Sequence, residues 1–186
     1  MFKNGFFLSI ILLVTSVTSF ADEFIDKYVT AAAKGDLVKV VAYVKKGVAI
    51  DGKNQARLTA LAYACKYNHL DIVKFLIEKG AKVNETVNTG STPLAVALLS
   101  GNFSIADYLI QHKADVNIPD IMGMSPLMWA VKDGNLNVVQ YLVEHGAKVN
   151  ALNNNSRSVI EIAMSQEVKD YLKLKGAKTS QELMKE

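Results

Sequence analysis

Residues 92–117 read TPLAVALLSGNFSIADYLIQHKADVN, and residues 125–150 read SPLMWAVKDGNLNVVQYLVEHGAKVN. The second stretch begins one period after the first, 125 − 92 = 33 residues. One period earlier, residues 59–84 read TALAYACKYNHLDIVKFLIEKGAKVN. Self-similarity at a fixed period of roughly 20–50 residues marks a chain that stacks copies of one supersecondary unit. Upstream, KYVTAAAKGDLVKVVAYVKKGVAID at 27–51 keeps the register, with Gly47 one period before Gly80. Downstream, SVIEIAMSQEVKDYLKLKGAK at 158–178 continues it but lacks three residues between its helices. Five units are therefore expected, at about 24–53, 54–86, 87–119, 120–152 and 153–180.

Each unit has a physical reading as two helices. Thr92 and Ser125 are N-caps, and Pro93 and Pro126 take the first helical position, where a missing N–H costs nothing. The short apolar helix that follows breaks at Gly101, Gly134 or, in the second unit, Asn68. A second helix shows apolar spacing at Ile72, Val73, Phe75, Leu76 and Ile77, repeated at Val138, Val139, Tyr141, Leu142 and Val143. It stops at Gly47, Gly80, Gly146 or Gly176, where a left-handed residue is wanted. Lys113 holds that position in the third unit and should cost roughly 1 kcal/mol if the left-handed conformation is kept.

Thr92-Pro93-Leu94, Ser125-Pro126-Leu127, Gly-Asn at 101–102 and 134–135, and Gly-Ala-Lys-Val-Asn at 80–84 and 146–150 closely resemble the ankyrin repeat. The resemblance implies an all-α solenoid of helix-turn-helix units with projecting β-hairpin loops. It also implies a concave face, built of loop tips and first helices, that binds partner proteins. The family's histidine after Thr-Pro-Leu is replaced by Ala62, Ala95 and Met128, so its interhelical hydrogen bonds are not expected.

Residues 1–21 follow other rules. Lys3 precedes the apolar run FFLSIILLV at 6–14, and Ser19-Phe20-Ala21 places small residues where a signal peptidase reads them. The run from Gly5 to Phe20 is 16 residues and includes several Ser and Thr, short of the roughly 20 apolar residues that a membrane span needs. Cleavage after Ala21 is expected, leaving 22–186 as the repeat domain and a membrane contact only in transit. Export follows: to the periplasm if the source is bacterial, otherwise secretion. No cysteine lies near position 21, which excludes a lipid anchor there.

Net charge is +3, with 21 basic and 18 acidic residues interspersed and no block of five like charges, so there is no nucleic-acid footprint. Cys65 is the only cysteine and falls on the inward position equivalent to Leu98 and Val131, where a buried thiol packs as a small hydrophobe. His112 and His145 sit one period apart on neighbouring units, and helices packed about 8–10 Å apart hold two imidazoles too far apart to share a zinc. Asp115 and Asp120 lie in loops without a partner base. No nucleophile elbow, phosphate loop or metalloprotease helix occurs. An enzyme, a cofactor, a metal site and a small-molecule substrate are all unexpected.

One pattern exceeds ordinary packing. The outward position of the first helix runs Tyr63, Val96, Trp129, Ile162, with Tyr67, Leu99, Met128 and the loop residues Ile121, Met122 and Met124 beside it. Exposed Trp, Tyr and Met in one patch is the composition of a recognition surface. Partner binding is therefore expected at Trp129, Met122, Met124, Ile121, Tyr63, Tyr67 and Val96, with Trp129 an exposed anchor and Met128 and Leu99 packing between units. The alternative is a structural or protective accessory to an exported enzyme, for example in oxidative-stress defence.

Overall fold

The computed structural model describes residues 22–185, and the expected signal segment, 1–21, lies outside them. The chain divides into two compact units, one ending at Ala81 and the other starting at Lys82.

The first unit is helical over 22–33 (α1) and continues with α2 (Leu37–Lys45), α3 (Ala60–Lys66) and α4 (Leu70–Glu78). Asp36 caps α2, accepting from the Lys39 N–H at 3.0 Å, and Thr59 caps α3, accepting from the Ala62 N–H at 3.1 Å. Tyr28, Val29, Val40, Leu61, Cys65, Ile72, Val73 and Leu76 form the core. The Tyr28 hydroxyl donates to the Ile50 carbonyl at 3.0 Å, which satisfies the one polar atom of a fully buried ring. His69 opens α4 without capping it. Its Nε2 instead donates to the Ala33 carbonyl at 3.1 Å, and its ring fills the space where a side chain at Gly35 would stand.

The second unit holds α5 (Pro93–Leu99), α6 (Phe103–Gln111), α7 (Pro126–Lys132), α8 (Leu136–Glu144), α9 (Val159–Ile162), α10 (Gln166–Leu174) and α11 (Ser180–Leu183). Within it α5 packs on α6 and α7, α7 on α8 and α9, and α10 on α8 and α9. Leu94, Leu98, Ile105, Leu109, Leu127, Met128, Val131, Val139, Leu142, Val159, Val168 and Leu172 fill the interior. Thr92 and Ser125 cap α5 and α7 as read from the sequence, and both are buried.

Two further devices join the repeats of this unit. The Asn84, Asn117 and Asn150 amides each reach into the following repeat: Asn84 donates to the Lys113 carbonyl and accepts from the Asp115 N–H. Asn117 does the same with Gly146 and Lys148, and Asn150 with Gly176 and Lys178. In the sequence these asparagines recur at the period as polar loop residues, and the structure gives them a coupling role. The second device is at the C-terminus, where the Glu161 carboxylate accepts from the Ser158 and Ser180 N–H and hydroxyl groups and ties α11 to α9. These donors hold its pKa below the usual carboxylate value, the Ser158 backbone N–H most of all.

The expected β-hairpin loops are tight ones, closed by a turn without extended strands among the described residues. In each, the fourth residue donates back to the first (Arg57 to Asn54, Gly90 to Val87, Gly123 to Asp120, Ser156 to Asn153), and the first donates to the carbonyl of the fifth. The next residue is already a helix N-cap, so the ladder has no room to extend. Among the described residues only an isolated bridge, Leu152 with Ser158, lies beyond this pattern. The turns pair tip to tip within the second unit: the Ile121 N–H donates to the Thr89 carbonyl, and the Asn154 N–H to that of Met122. A Cβ on Gly123 would come within 2.6 Å of the Asn154 nitrogen, so the approach itself requires glycine.

Gly47, Gly80, Gly146 and Gly176 are left-handed as expected, and further left-handed residues occur at the breaks and turns. Asn68 (φ 61°) and Lys113 (φ 69°) stand in for glycine, and Arg57 and Ser156 do the same at the turn position held by Gly90 and Gly123.

Candidate functional site

Asp120 organises the third loop. Its Oδ1 accepts from the Met122 and Met124 N–H groups, each at 2.9 Å, and its Oδ2 accepts from the Trp129 indole Nε1–H at 2.9 Å. One carboxylate thereby folds the turn and fastens it to the outer face of α7. Its three partners are N–H donors of the backbone and the indole, so the carboxylate serves as a structural acceptor.

The clamp decides which side chains reach solvent. Ile121 is 70% exposed and Met122 50% exposed at the tip, whereas Met124, 7% exposed, turns inward and its Sδ accepts from the Asn153 amide. Met124 is therefore corrected from a surface contact to a support. Trp129 is half-buried and hydrogen-bonded, with the Lys132 ammonium 4.5 Å above its ring, so it is a fixed wall and not a free anchor. Ile162 is also corrected: only 6% exposed, it ends the outward row at Trp129. Met128 is fully buried as expected, whereas Leu99 is 45% exposed and does not pack away.

Beside Trp129 lies a hollow of about 220 Å³, walled by Met122, Met124, Trp129, Ile162 and Met164, with Lys132 and Arg157 at its rim. Lys132, Arg157 and Met164 escaped the sequence reading. The signal for them in the sequence is the three-residue deletion between the helices of the last unit, which leaves this space.

The remaining expected contacts lie apart from this loop. Val96, on α5, is half-buried. In the first unit Tyr63 and Tyr67 stack with ring centres 5.9 Å apart and planes 7° from parallel, and Tyr67 is 48% exposed. The stack is a flat apolar surface with one polar edge, the form in which tyrosine serves recognition.

The other candidate chemistry is structural. Cys65 is fully buried, and burial pushes its thiol pKa well above the ordinary value, so the nucleophilic thiolate is suppressed. His112 and His145 donate from Nδ1 to the carbonyls of Tyr108 and Tyr141, satisfying groups at their helix C-termini. Among the described residues no three His, Cys, Asp or Glu gather as a metal site, and no helix is long and apolar enough to cross a membrane.

Comparison with known proteins finds two matching family descriptions: Ankyrin repeats (3 copies) over residues 29–120 and Ankyrin repeats (many copies) over residues 109–163. A segment of 52 residues is 44% identical to the eye-specific diacylglycerol kinase of Drosophila melanogaster. That segment is 28% of this chain and spans 4% of the kinase, within a repeat region.

Proposed function

This chain belongs to the ankyrin repeat family, whose members are in general non-enzymatic scaffolds for protein–protein interaction, and we propose that it is an exported scaffold gripping a partner protein through its third loop. The observation that carries this reading is the Asp120 clamp. It holds Ile121 and Met122 out in solvent beside the Trp129 wall, at the cost of two large exposed apolar side chains. Soluble surfaces tolerate such residues singly, but adjoining apolar groups on a rigid support offer the pre-organised contact that binding favours. Tyr63 and Tyr67 offer a second contact on the first unit. Export rests on Lys3, the apolar run at 6–14 and the small residues at 19 and 21.

The test uses the exported chain as bait, with a photo-crosslinking residue at position 122. A discrete crosslinked partner is expected, with capture reduced at least about thirtyfold by Ile121→Ser with Met122→Ser, the loss of roughly 2 kcal/mol that marks an interface hot spot. Capture unchanged by that pair would refute the loop assignment. Intact mass of the exported protein should correspond to a chain starting at Asp22. A species starting at Met1 would refute the cleavage.

A further inference from the structure

The hollow beside Trp129 is a product of the deletion in the last repeat. Helix α7 runs seven residues, Pro126–Lys132, whereas its counterpart α9 runs four, Val159–Ile162. At Ala163 the backbone turns extended (φ −62°, ψ 128°), and Met164 is 81% exposed. The missing turn would have lain against the Lys132 end of α7. In its place an opening of about 220 Å³ remains, with Trp129, Ile162 and Met124 among its apolar lining.

Its rim carries one sign of charge. Lys132 and Arg157 are among the lining residues and no carboxylate is; Lys132 lies over the Trp129 ring and Arg157 donates to the Glu161 carbonyl, and neither makes an ion pair among the described residues. Asp120 is held by three N–H donors and Glu161 by Ser158 and Ser180. An opening of this size is below the roughly 300–1,000 Å³ that accommodates a drug-sized ligand, and suits a single side chain.

We infer that the hollow receives one apolar side chain of a partner protein, from a segment whose flanking residues are acidic. The inference rests on the protein-binding reading and adds the chemistry of the partner's segment. The apolar side chain packs among Trp129, Ile162 and the methionines, and its neighbouring carboxylates meet Lys132, which already lies over the indole, and Arg157. Such rim charges steer encounter and set which sequences are accepted.

Trp129 is the only tryptophan, so its fluorescence reads the hollow directly. The probes are acetyl-Glu-Leu-Glu-amide, acetyl-Gln-Leu-Gln-amide and acetyl-Glu-Gly-Glu-amide, titrated into the exported chain at low salt. The first is expected to give a saturable change, with each of the others at least about tenfold weaker, a difference of 1.4 kcal/mol. Lys132→Gln with Arg157→Gln should bring the first down to the second at unchanged melting temperature. Lys132→Gln alone, on an exposed side chain, gives a smaller loss and serves if the pair unfolds the protein. No saturable response to the first peptide, or equal responses to all three, overturns the inference. Capture of a partner through Ile121 and Met122 that ignores the rim substitutions also overturns it while leaving the scaffold reading in place. Capture that ignores both sets removes the scaffold reading itself.

Discussion

The side-chain amide of Asn117 closes two backbone groups around Gly146, donating to its carbonyl at 3.2 Å and accepting from the N–H of Lys148 at 2.8 Å. Gly146 follows the second helix of one repeat and Asn117 that of the repeat before, so a single side chain fixes the spacing between successive helix pairs. The pairs Asn84 with Lys113 and Asn150 with Gly176 repeat the joint.

Asn117→Ala is expected to cost about 2 kcal/mol, the sum of two hydrogen bonds worth about 0.5–1.5 kcal/mol each. Asn117→Asp keeps the acceptor, loses the donor and should cost about half as much. Urea unfolding of the three proteins side by side checks the order. Equal stabilities would mean that water replaces the joint without loss.

Trp129→Phe keeps an aromatic wall and removes the bond to Asp120, for an expected loss of about 1.5 kcal/mol, since the acceptor is charged. Asp120→Ala also frees the Met122 and Met124 N–H groups and should cost more, about 3 kcal/mol. In the double variant the two losses should not add, because they share one bond. Additive losses would show that the indole and the carboxylate act independently.

Lys113→Gly and Ser156→Gly relieve left-handed backbone at residues with a Cβ, and each should gain about 1 kcal/mol. Gly146→Ala, the reverse change, should lose a similar amount. Thermal melts decide. A destabilised Lys113→Gly would mean that its side chain contributes more than its backbone costs.

Cys65 gives a pH dependence whose sign is fixed by its burial. The native thiol stays protonated at pH values where the unfolded chain, with an ordinary thiol pKa near about 8.5, has lost its proton. The unfolded state then binds fewer protons, so stability is fully present below about pH 8.5 and falls above it by about 1.4 kcal/mol per pH unit. Unfolding free energies at pH 7.5 and 9.5 should converge in Cys65→Ala and diverge in the parent. The same divergence in both would place the effect elsewhere.

Removal of 151–186 strips α9 and α10 from α7 and α8 and exposes the apolar side of both. Terminal repeats are needed to close such an array, so aggregation is expected in light scattering. A monomeric truncation with an unchanged melting temperature would contradict it.

The repeat architecture was legible because period, caps and stop residues all report on backbone geometry, which local sequence sets. Thr92, Ser125 and Gly146 could each be assigned from their own neighbours. The site was legible only in part. Which apolar loop residue faces out is decided by the Asp120 clamp, a contact to Trp129 nine residues away, and no periodicity distinguishes exposed Met122 from buried Met124. Ile162 was misplaced for a related reason: it shares a register position with Trp129, but the chain around it is three residues shorter. The asparagine joints were missed because a polar residue at a fixed period reads equally well as loop solvation.

Those joints bear on how such a chain grows. Each asparagine addresses only main-chain groups of the following repeat, at Lys113 and Asp115, Gly146 and Lys148, or Gly176 and Lys178. A connector that reads backbone is indifferent to the side chains it meets. A duplicated gene segment of one period would arrive with its own coupling and with a socket for the next, and its outward residues would be free to drift toward a different binding specificity.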